Sequence, residues 1–122
     1  MPDSNDTTQS SDTMIFLASD IVGRGEDRQL GGLLMQKFLH TVGGHRIKPR
    51  AILLMNDGVR LVTKESIAFE ELRLLSSQGI DILACGTCLE RFGLTDKVSV
   101  GKVSNMYDIT DAMLKAGKVI SM

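Results

Sequence analysis

The run MIFLA, residues 14–18, decides the fold that we expect of this chain. All of its residues are apolar, whereas a strand with one face in water alternates apolar and polar residues. An unbroken apolar run of this length is typical of a central strand in a parallel sheet, where helices cover both faces. A similar run follows over 51–55, and a third, over 80–84, is apolar except for Asp81. The chain is therefore predicted to form an α/β domain.

Amphipathic stretches between the apolar runs predict the helices. The first helix is expected over 27–42 and the second over 64–78, and glycines at 43–44 and 79 end them. The side of the first helix predicted to face the sheet carries Leu30, Leu33, Leu34, Phe38 and Val42. The buried side of the second carries Ile67, Ala68, Leu72 and Leu75. A short helix over 89–92, a weaker strand over 98–103, a helix capped by Asn105 and a strand near the sheet edge over 119–120 complete the pattern.

Length and composition limit the class of protein. The 122 residues suit one domain, which we predict over 14–122, after a disordered arm or linker remnant over 1–13 that is rich in Ser, Thr, Asp and Asn. Fourteen basic and 15 acidic residues give a net charge of -1, which argues against a nucleic-acid partner. No apolar run approaches the roughly 18 residues of a membrane span, and no signal peptide opens the chain. We expect a cytoplasmic protein without a membrane partner.

Unusual residues follow several of the predicted strands. In an open parallel sheet, ligands bind outside the carboxyl ends of the strands, so these loops are the candidate binding site. The candidate binding residues are Gly23, Arg24, Gly25, Asn56, Gly58, Gly86, Thr87, Asn105 and Tyr107. Gly23-Arg24-Gly25 suggests either an anion cradle or a flexible turn. The 56–58 turn and the Asn105 cap also have ordinary structural explanations, and Tyr107 suits an interface or a crevice wall.

The two cysteines, Cys85 and Cys88, flank Gly86-Thr87 at the predicted end of the third strand. A thiol in such a loop can act as a nucleophile once it is deprotonated. Both can equally be buried apolar side chains. A metal site would need two more ligands, and a thioredoxin-like dithiol would need a proline loop opposite it. For the metal site the chain offers only two histidines, His40 and His45. For the proline loop it has only Pro2 and Pro49. From the residues alone, the reactive and the buried interpretations of the two cysteines therefore both stay open, and we predict neither a metal nor a cofactor.

Four segments resemble the DsrE/DsrF-like sulfur-relay family, and most of all the C-terminal domain of its YedF branch, which is associated with selenium metabolism. They are GRGEDRQLGGLLMQKFLHT (23–41), MNDGVRL (55–61), ILACGTCLERFGL (82–94) and VGKVSNMYDITDAML (100–114). The resemblance implies a three-layer α/β/α fold with a five-stranded parallel sheet and a tendency to form homo-oligomers. It also implies persulfide transfer through Cys85, with Cys88 as a second thiol that releases the sulfur by forming a disulfide.

YedF proteins usually carry an N-terminal TusA-like domain with a Cys-Pro motif, and no such motif precedes Cys85 here. The resemblance therefore implies a TusA-like sulfur carrier acting in trans. Our leading hypothesis is a sulfur carrier or sulfurtransferase-like protein for sulfur or selenium. The alternatives are a non-catalytic oligomeric module that binds a small anion or a partner, and a dithiol redox protein.

Overall fold

The computed structural model describes residues 9–122. Within them, seven strands are present: β1 (Gln9–Ser10), β2 (Thr13–Leu17), β3 (Ile47–Lys48), β4 (Ala51–Leu54), β5 (Asp81–Cys85), β6 (Lys102–Ser104) and β7 (Lys118–Ser121). β2 and the last four strands form one parallel sheet in the order β6-β5-β4-β2-β7, and β1 pairs with β3 separately. The predicted five-stranded parallel sheet is thus confirmed.

Four α-helices connect these strands: α1 (Arg28–Gly44), α2 (Phe69–Ser77), α3 (Gly86–Arg91) and α4 (Met106–Lys115). Two 3-10 helices, Asn56–Val62 and Thr95–Lys97, lie between them. Asp27 caps α1 by accepting the Leu30 N–H at 3.0 Å, and Asn105 caps α4 by accepting the Asp108 N–H at 2.8 Å. The cap predicted at Asn105 is confirmed.

The strand order places helices on both faces of the sheet. From β2 through β4 and β5 to β6 the chain moves steadily towards one edge, and then it returns across the sheet to β7 at the other edge. Crossovers between parallel strands are right-handed, so the return through α4 covers the face opposite to α1 and α2. α1 and α2 also pack against each other. The result is a helix-sheet-helix sandwich, as predicted.

The buried side of α1 differs from the prediction. Leu30, Leu33 and Leu34 are 51%, 42% and 40% exposed, while the residues with buried side chains are Met35 and Leu39. Leucines occur on several sides of this helix, so the sequence pattern alone does not fix its rotation. Gly31 fixes the rotation of α1. A Cβ at this position would lie 2.8 Å from the Ile21 Cβ, so the side of α1 that carries Gly31 faces the loop after β2. Phe38 and Val42 pack partly against the core.

The second helix is shorter than predicted. α2 begins at Phe69, so Ile67 precedes it and is exposed, whereas Ala68, Leu72 and Leu75 are buried as expected. The helix starts late because residues 63–68 form turns, in which the Ser66 hydroxyl accepts the Ala68 N–H at 3.1 Å. The predicted strand over 98–103 is likewise reduced to β6, since Gly101 has a φ of +80°.

The chain before β2 is only partly described. Residues 1–8 of the predicted arm lie outside the described residues, and the boundary at 13/14 remains a prediction. Gln9–Ser10 pairs with Ile47–Lys48, and Thr13 already belongs to β2. α1 continues through the two glycines that were expected to end it. Lys48 accounts for this, since its buried ammonium donates to the carbonyls of Val42 and Gly43 in the last turn.

Candidate functional site

The candidate site lies where β5 ends and α3 begins. β5 finishes at Cys85 and α3 starts at the next residue, so the cysteine pair spans the junction between strand and helix. Its neighbours in the sheet are β4, which leads into Asn56, and β6, whose Ser104 pairs with Cys85. The carboxyl ends of three adjacent strands therefore meet at this point, as expected for a parallel sheet.

Cys85 is buried at the base of the site. Its exposed fraction is 1%, and both cysteines are free thiols. The next residue, Gly86, leaves space for the neighbouring strand, because a Cβ there would lie 3.0 Å from the Ser104 carbonyl oxygen. The chain can thus pass directly from β5 into α3 beside β6. This geometry holds Cys85 in the core and turns the chain so that Cys88 lies one helical turn further on.

Cys88 is the more accessible of the two thiols. Its side chain is only partly buried, and its Sγ accepts the backbone N–H of Asn56 at 3.1 Å. Asn56 has a φ of +51°, in the left-handed region that residues other than glycine rarely adopt. Asparagine tolerates this conformation better than most residues. The backbone of the loop after β4 is therefore shaped so that an amide points at the sulfur.

The surroundings of Cys88 act on its pKa in opposite directions. Burial raises the pKa of the Cys88 thiol above its usual value, and the Asn56 amide lowers it because it stabilises the thiolate. The Cys85 thiol adds to the rise through a hydrogen bond and through charge repulsion. The net effect is an upward shift, so that Cys88 is a protonated thiol at neutral pH. The same contacts indicate that the two sulfurs lie within interaction distance of each other.

The raised pKa predicts how Cys88 reacts with iodoacetamide. Alkylation requires the thiolate, so its rate at Cys88 should rise with pH and reach half its maximum above the ordinary thiol value of about 8.5. Mass spectrometry of the Cys88 peptide measures this rate. The Cys85→Ser variant should have a lower midpoint that still exceeds the ordinary value, because burial is the largest cause of the shift. The urea-unfolded chain is the control, and a folded midpoint at or below the unfolded one contradicts the prediction.

Arg60 and Phe92 are part of the site that sequence reasoning missed. The Arg60 guanidinium carbon lies 4.1 Å from the centre of the Phe92 ring, and Phe92 follows Cys88 by one turn of α3. The Arg60 Nε donates to Asp57 Oδ1 at 2.8 Å. A partly neutralised cation thus stands beside the thiol-bearing helix. The three-residue spacing of Asp57 and Arg60 would have been a usable signal if a helix had been predicted there instead of a turn.

The structure brings together only some of the residues that the sequence singled out. The site is formed by Cys85, Gly86, Cys88 and Asn56. Gly58 packs against the end of β2, where a Cβ would overlap the Leu17 carbonyl oxygen. Thr87 is exposed at the start of α3. Other predicted binding residues are exposed and make no described hydrogen bond or ion pair with the cysteines; they are Gly23, Arg24, Gly25 and Tyr107. The Asn105 side chain is used in capping α4.

Residues 9–122 contain no group of three or more His, Cys, Asp or Glu side chains arranged to hold a metal ion. None of their helices combines the length and the apolar character needed to cross a membrane.

Comparisons with known proteins point to one fold. The model of the DsrE/DsrF-like family matches residues 20–122 of this chain. The ychN protein from E. coli, at 15% identity, superimposes with a TM-score of 0.59 over 95% of this chain and 100% of its own. A protein of unknown function from Methanobacterium thermoautotrophicum, at 18% identity, gives 0.62 over 93% and 99%. One from Bacteroides thetaiotaomicron, at 21% identity, gives 0.57 over 100% and 99%. At these identities the likeness concerns the fold, and no curated protein matches the chain significantly.

Proposed function

Because this chain belongs to the DsrE/DsrF-like family, which is associated with sulfur relay, we propose that it carries sulfur as a persulfide on the Cys85–Cys88 pair. One observation supports the proposal above the others. Cys88 is partly exposed, its sulfur accepts a backbone N–H, and it lies beside a second thiol at the carboxyl end of β5. A pair of interacting thiols at the ligand-binding edge of a parallel sheet is suited to sulfur exchange.

The exchange needs no cofactor. The Cys88 thiol attacks the outer sulfur of a donor persulfide, R–S–SH; the donor S–S bond breaks, a new S–S bond forms, and the proton passes to the leaving thiolate. The products are Cys88–S–SH and R–SH, so no electron is gained or lost overall. The same step in reverse, with an acceptor thiol in place of R–SH, delivers the sulfur. At neutral pH, ionisation of Cys88 limits the first step, because burial raises the pKa of its thiol.

We assign the receiving role to Cys88 and the supporting role to Cys85. From the family resemblance we expected the reverse order. The attacking thiol must approach the outer sulfur of the donor in line with the donor S–S bond that breaks, and Cys85 at 1% exposure cannot be reached in this way. Cys85 can still attack the inner sulfur of Cys88–S–SH, which releases hydrosulfide and leaves a Cys85–Cys88 disulfide. A dithiol reductant would then be required to restore both thiols.

We also propose that the donor or acceptor is a TusA-like carrier protein, that the chain is close to the YedF branch, and that the cargo is sulfur, with selenium as the second candidate. A protein partner fits an accessible Cys88 beside the cationic Arg60, although Asp57 offsets part of that charge.

The dithiol redox alternative draws on the same two thiols. In the redox alternative the two cysteines cycle between dithiol and disulfide, whereas in sulfur transfer a cysteine cycles between thiol and persulfide.

Self-association is proposed on separate grounds. Leu30, Leu33, Leu34 and Ile67 are exposed on or beside α1, and a group of large apolar side chains in water commonly marks a protein interface. A second copy of the chain is the partner that the family resemblance favours. Sedimentation over a range of protein concentrations tests this, and a monomer at every concentration contradicts it.

The proposed function predicts that a persulfide donor adds sulfur to the folded chain. After incubation with a low-molecular-weight persulfide, the intact mass should increase by one sulfur atom, and a thiol reductant should remove it. The matched control is the double variant Cys85→Ser/Cys88→Ser, in which the increase should be absent. A disulfide in the unaltered chain, with no added sulfur on Cys88 in the Cys85→Ser variant, would instead support the redox alternative, and no change in mass in any of these proteins would refute the proposal.

A further inference from the structure

A second concave site lies at the opposite end of the sheet from the cysteines. It is a groove of about 320 Å³ between the last turns of α1, the amino ends of β2 and β7, and β3. Its lining residues are Ser11, Thr13, Ile15, Phe38, Thr41, Val42, His45, Ile47, Pro49, Lys118 and Ile120. Small-molecule sites are usually apolar clefts of roughly 300–1,000 Å³ with a few convergent polar groups. The groove is at the small end of this range.

The floor and walls of the groove are apolar. Ile15 is 3% exposed and Pro49 is buried, so they form a fixed floor. On the walls, Ile47 and Ile120 are 53% and 40% exposed, which leaves large apolar surfaces in water on two sides of one cleft. A ligand with an apolar body would cover both, and the burial of that surface would favour its binding.

The rim is basic in a chain whose net charge is -1. The Lys118 side chain lines the groove and takes part in no ion pair among residues 9–122. His45 lines it too, and its Nδ1 accepts the Ile47 N–H at 3.2 Å, which leaves Nε2 available as a donor. Asp12, whose backbone carbonyl accepts the Lys118 N–H, pairs through its carboxylate with Arg50 at 3.6 Å. The rim thus offers two donors to an anion beside an apolar cleft.

We propose that this groove binds a small amphipathic carboxylate, with its apolar body between Ile47 and Ile120 and its carboxylate at Lys118 and His45. The combination of an apolar cleft with a cationic rim selects this class. A purely apolar ligand would leave the ammonium unused, and a compact anion such as phosphate would leave the apolar walls exposed. The site is separate from the cysteine pair and independent of the proposed sulfur chemistry.

Octanoate is the probe for this proposal, and octanol is its uncharged counterpart. Titration of the full chain, followed by NMR amide shifts, should show saturable octanoate binding centred on residues 45–47 and 118–120. Octanol should bind about twofold to fivefold more weakly, the factor typical of one exposed ionic contact. In Lys118→Gln this difference should largely disappear. Lys115→Gln is the matched control, since the Lys115 ammonium pairs with Asp111 on α4 at 3.1 Å, outside the groove.

Each other outcome overturns the proposal. Absence of saturable octanoate binding at millimolar concentration removes the site. An unchanged ratio of octanoate to octanol affinity in Lys118→Gln removes the carboxylate recognition. Self-association of the unaltered chain that Ile47→Ser abolishes and that excess octanoate leaves unchanged assigns the groove to a second copy of the chain. The Ile47 side chain is 53% exposed, so its replacement by serine should leave the fold intact. Circular dichroism of Ile47→Ser should show this.

Discussion

Replacing Cys88 by serine is expected to abolish persulfide loading, while replacing Cys85 by serine leaves most of it. The expectation follows from access. Cys88 is partly exposed and its sulfur is held by the Asn56 N–H at 3.1 Å, whereas 1% of Cys85 is exposed. Loading at Cys88→Ser should fall by at least about 10²-fold, because the proposed accepting atom is gone and the remaining thiol reacts only through local opening of the fold. Peptide mass spectrometry measures which cysteine carries the added sulfur.

The same two variants test the order of the thiols. If Cys85 resolves the persulfide, the Cys85→Ser variant should hold its sulfur longer than the unaltered chain and should form no internal disulfide. Circular dichroism controls for loss of fold, which matters most at the buried Cys85 position. Loading of Cys85 in the Cys88→Ser variant at the unaltered rate contradicts the assignment, and leaves sulfur transfer itself intact. Loss of loading in both variants would show that the two thiols act as a unit.

Much of the fold follows from short-range patterns in the sequence. Apolar runs, unbroken for β2 and β4 and interrupted only by Asp81 for β5, predict these strands to within one or two residues, because strands buried on both faces need mostly apolar side chains. The cap at Asn105 is equally local, since its side chain bonds to a backbone N–H three residues on. The position of Cys85 at the end of β5 is a consequence of these local assignments.

The rotation of α1 and the contacts of Cys88 do not follow from local patterns. The choice between two apolar sides of α1 depends on the loop after β2 that packs against Gly31. The hydrogen bond from Asn56 to Cys88 joins residues 32 apart in sequence, and it exists because β4 and β5 are neighbours. The sequence order of strands does not determine their spatial order. The difference in exposure between the two cysteines therefore emerges only from the assembled sheet.

Gly58→Ala is expected to be the most destabilising of the glycine substitutions near the site. A Cβ at residue 58 would overlap the Leu17 carbonyl oxygen and lie 3.0 Å from the carbonyl carbon, and the end of β2 is buried. That oxygen also accepts the Met55 N–H at 3.1 Å. Backbone atoms in a sheet cannot move aside cheaply, so the free energy of unfolding should fall by about 3 kcal/mol. Urea unfolding followed by circular dichroism measures the loss.

Gly25→Ala is the matched control for Gly58→Ala. A Cβ at Gly25 would have no atom within 4 Å, and its φ is not positive, so its free energy of unfolding should change by less than about 0.5 kcal/mol. Equal stability of the two variants would contradict the argument from close approach.

Gly58 also holds the 3-10 helix Asn56–Val62 against β2, and this helix begins with the amide that meets Cys88. If that amide moves away in Gly58→Ala, the pKa of the Cys88 thiol should rise further, because the lost contact is the one that lowers it. The alkylation midpoint of Cys88 should then shift to higher pH in Gly58→Ala and stay unchanged in Gly25→Ala. Such a result would tie the reactivity of the thiol to a single close contact between β2 and the loop after β4.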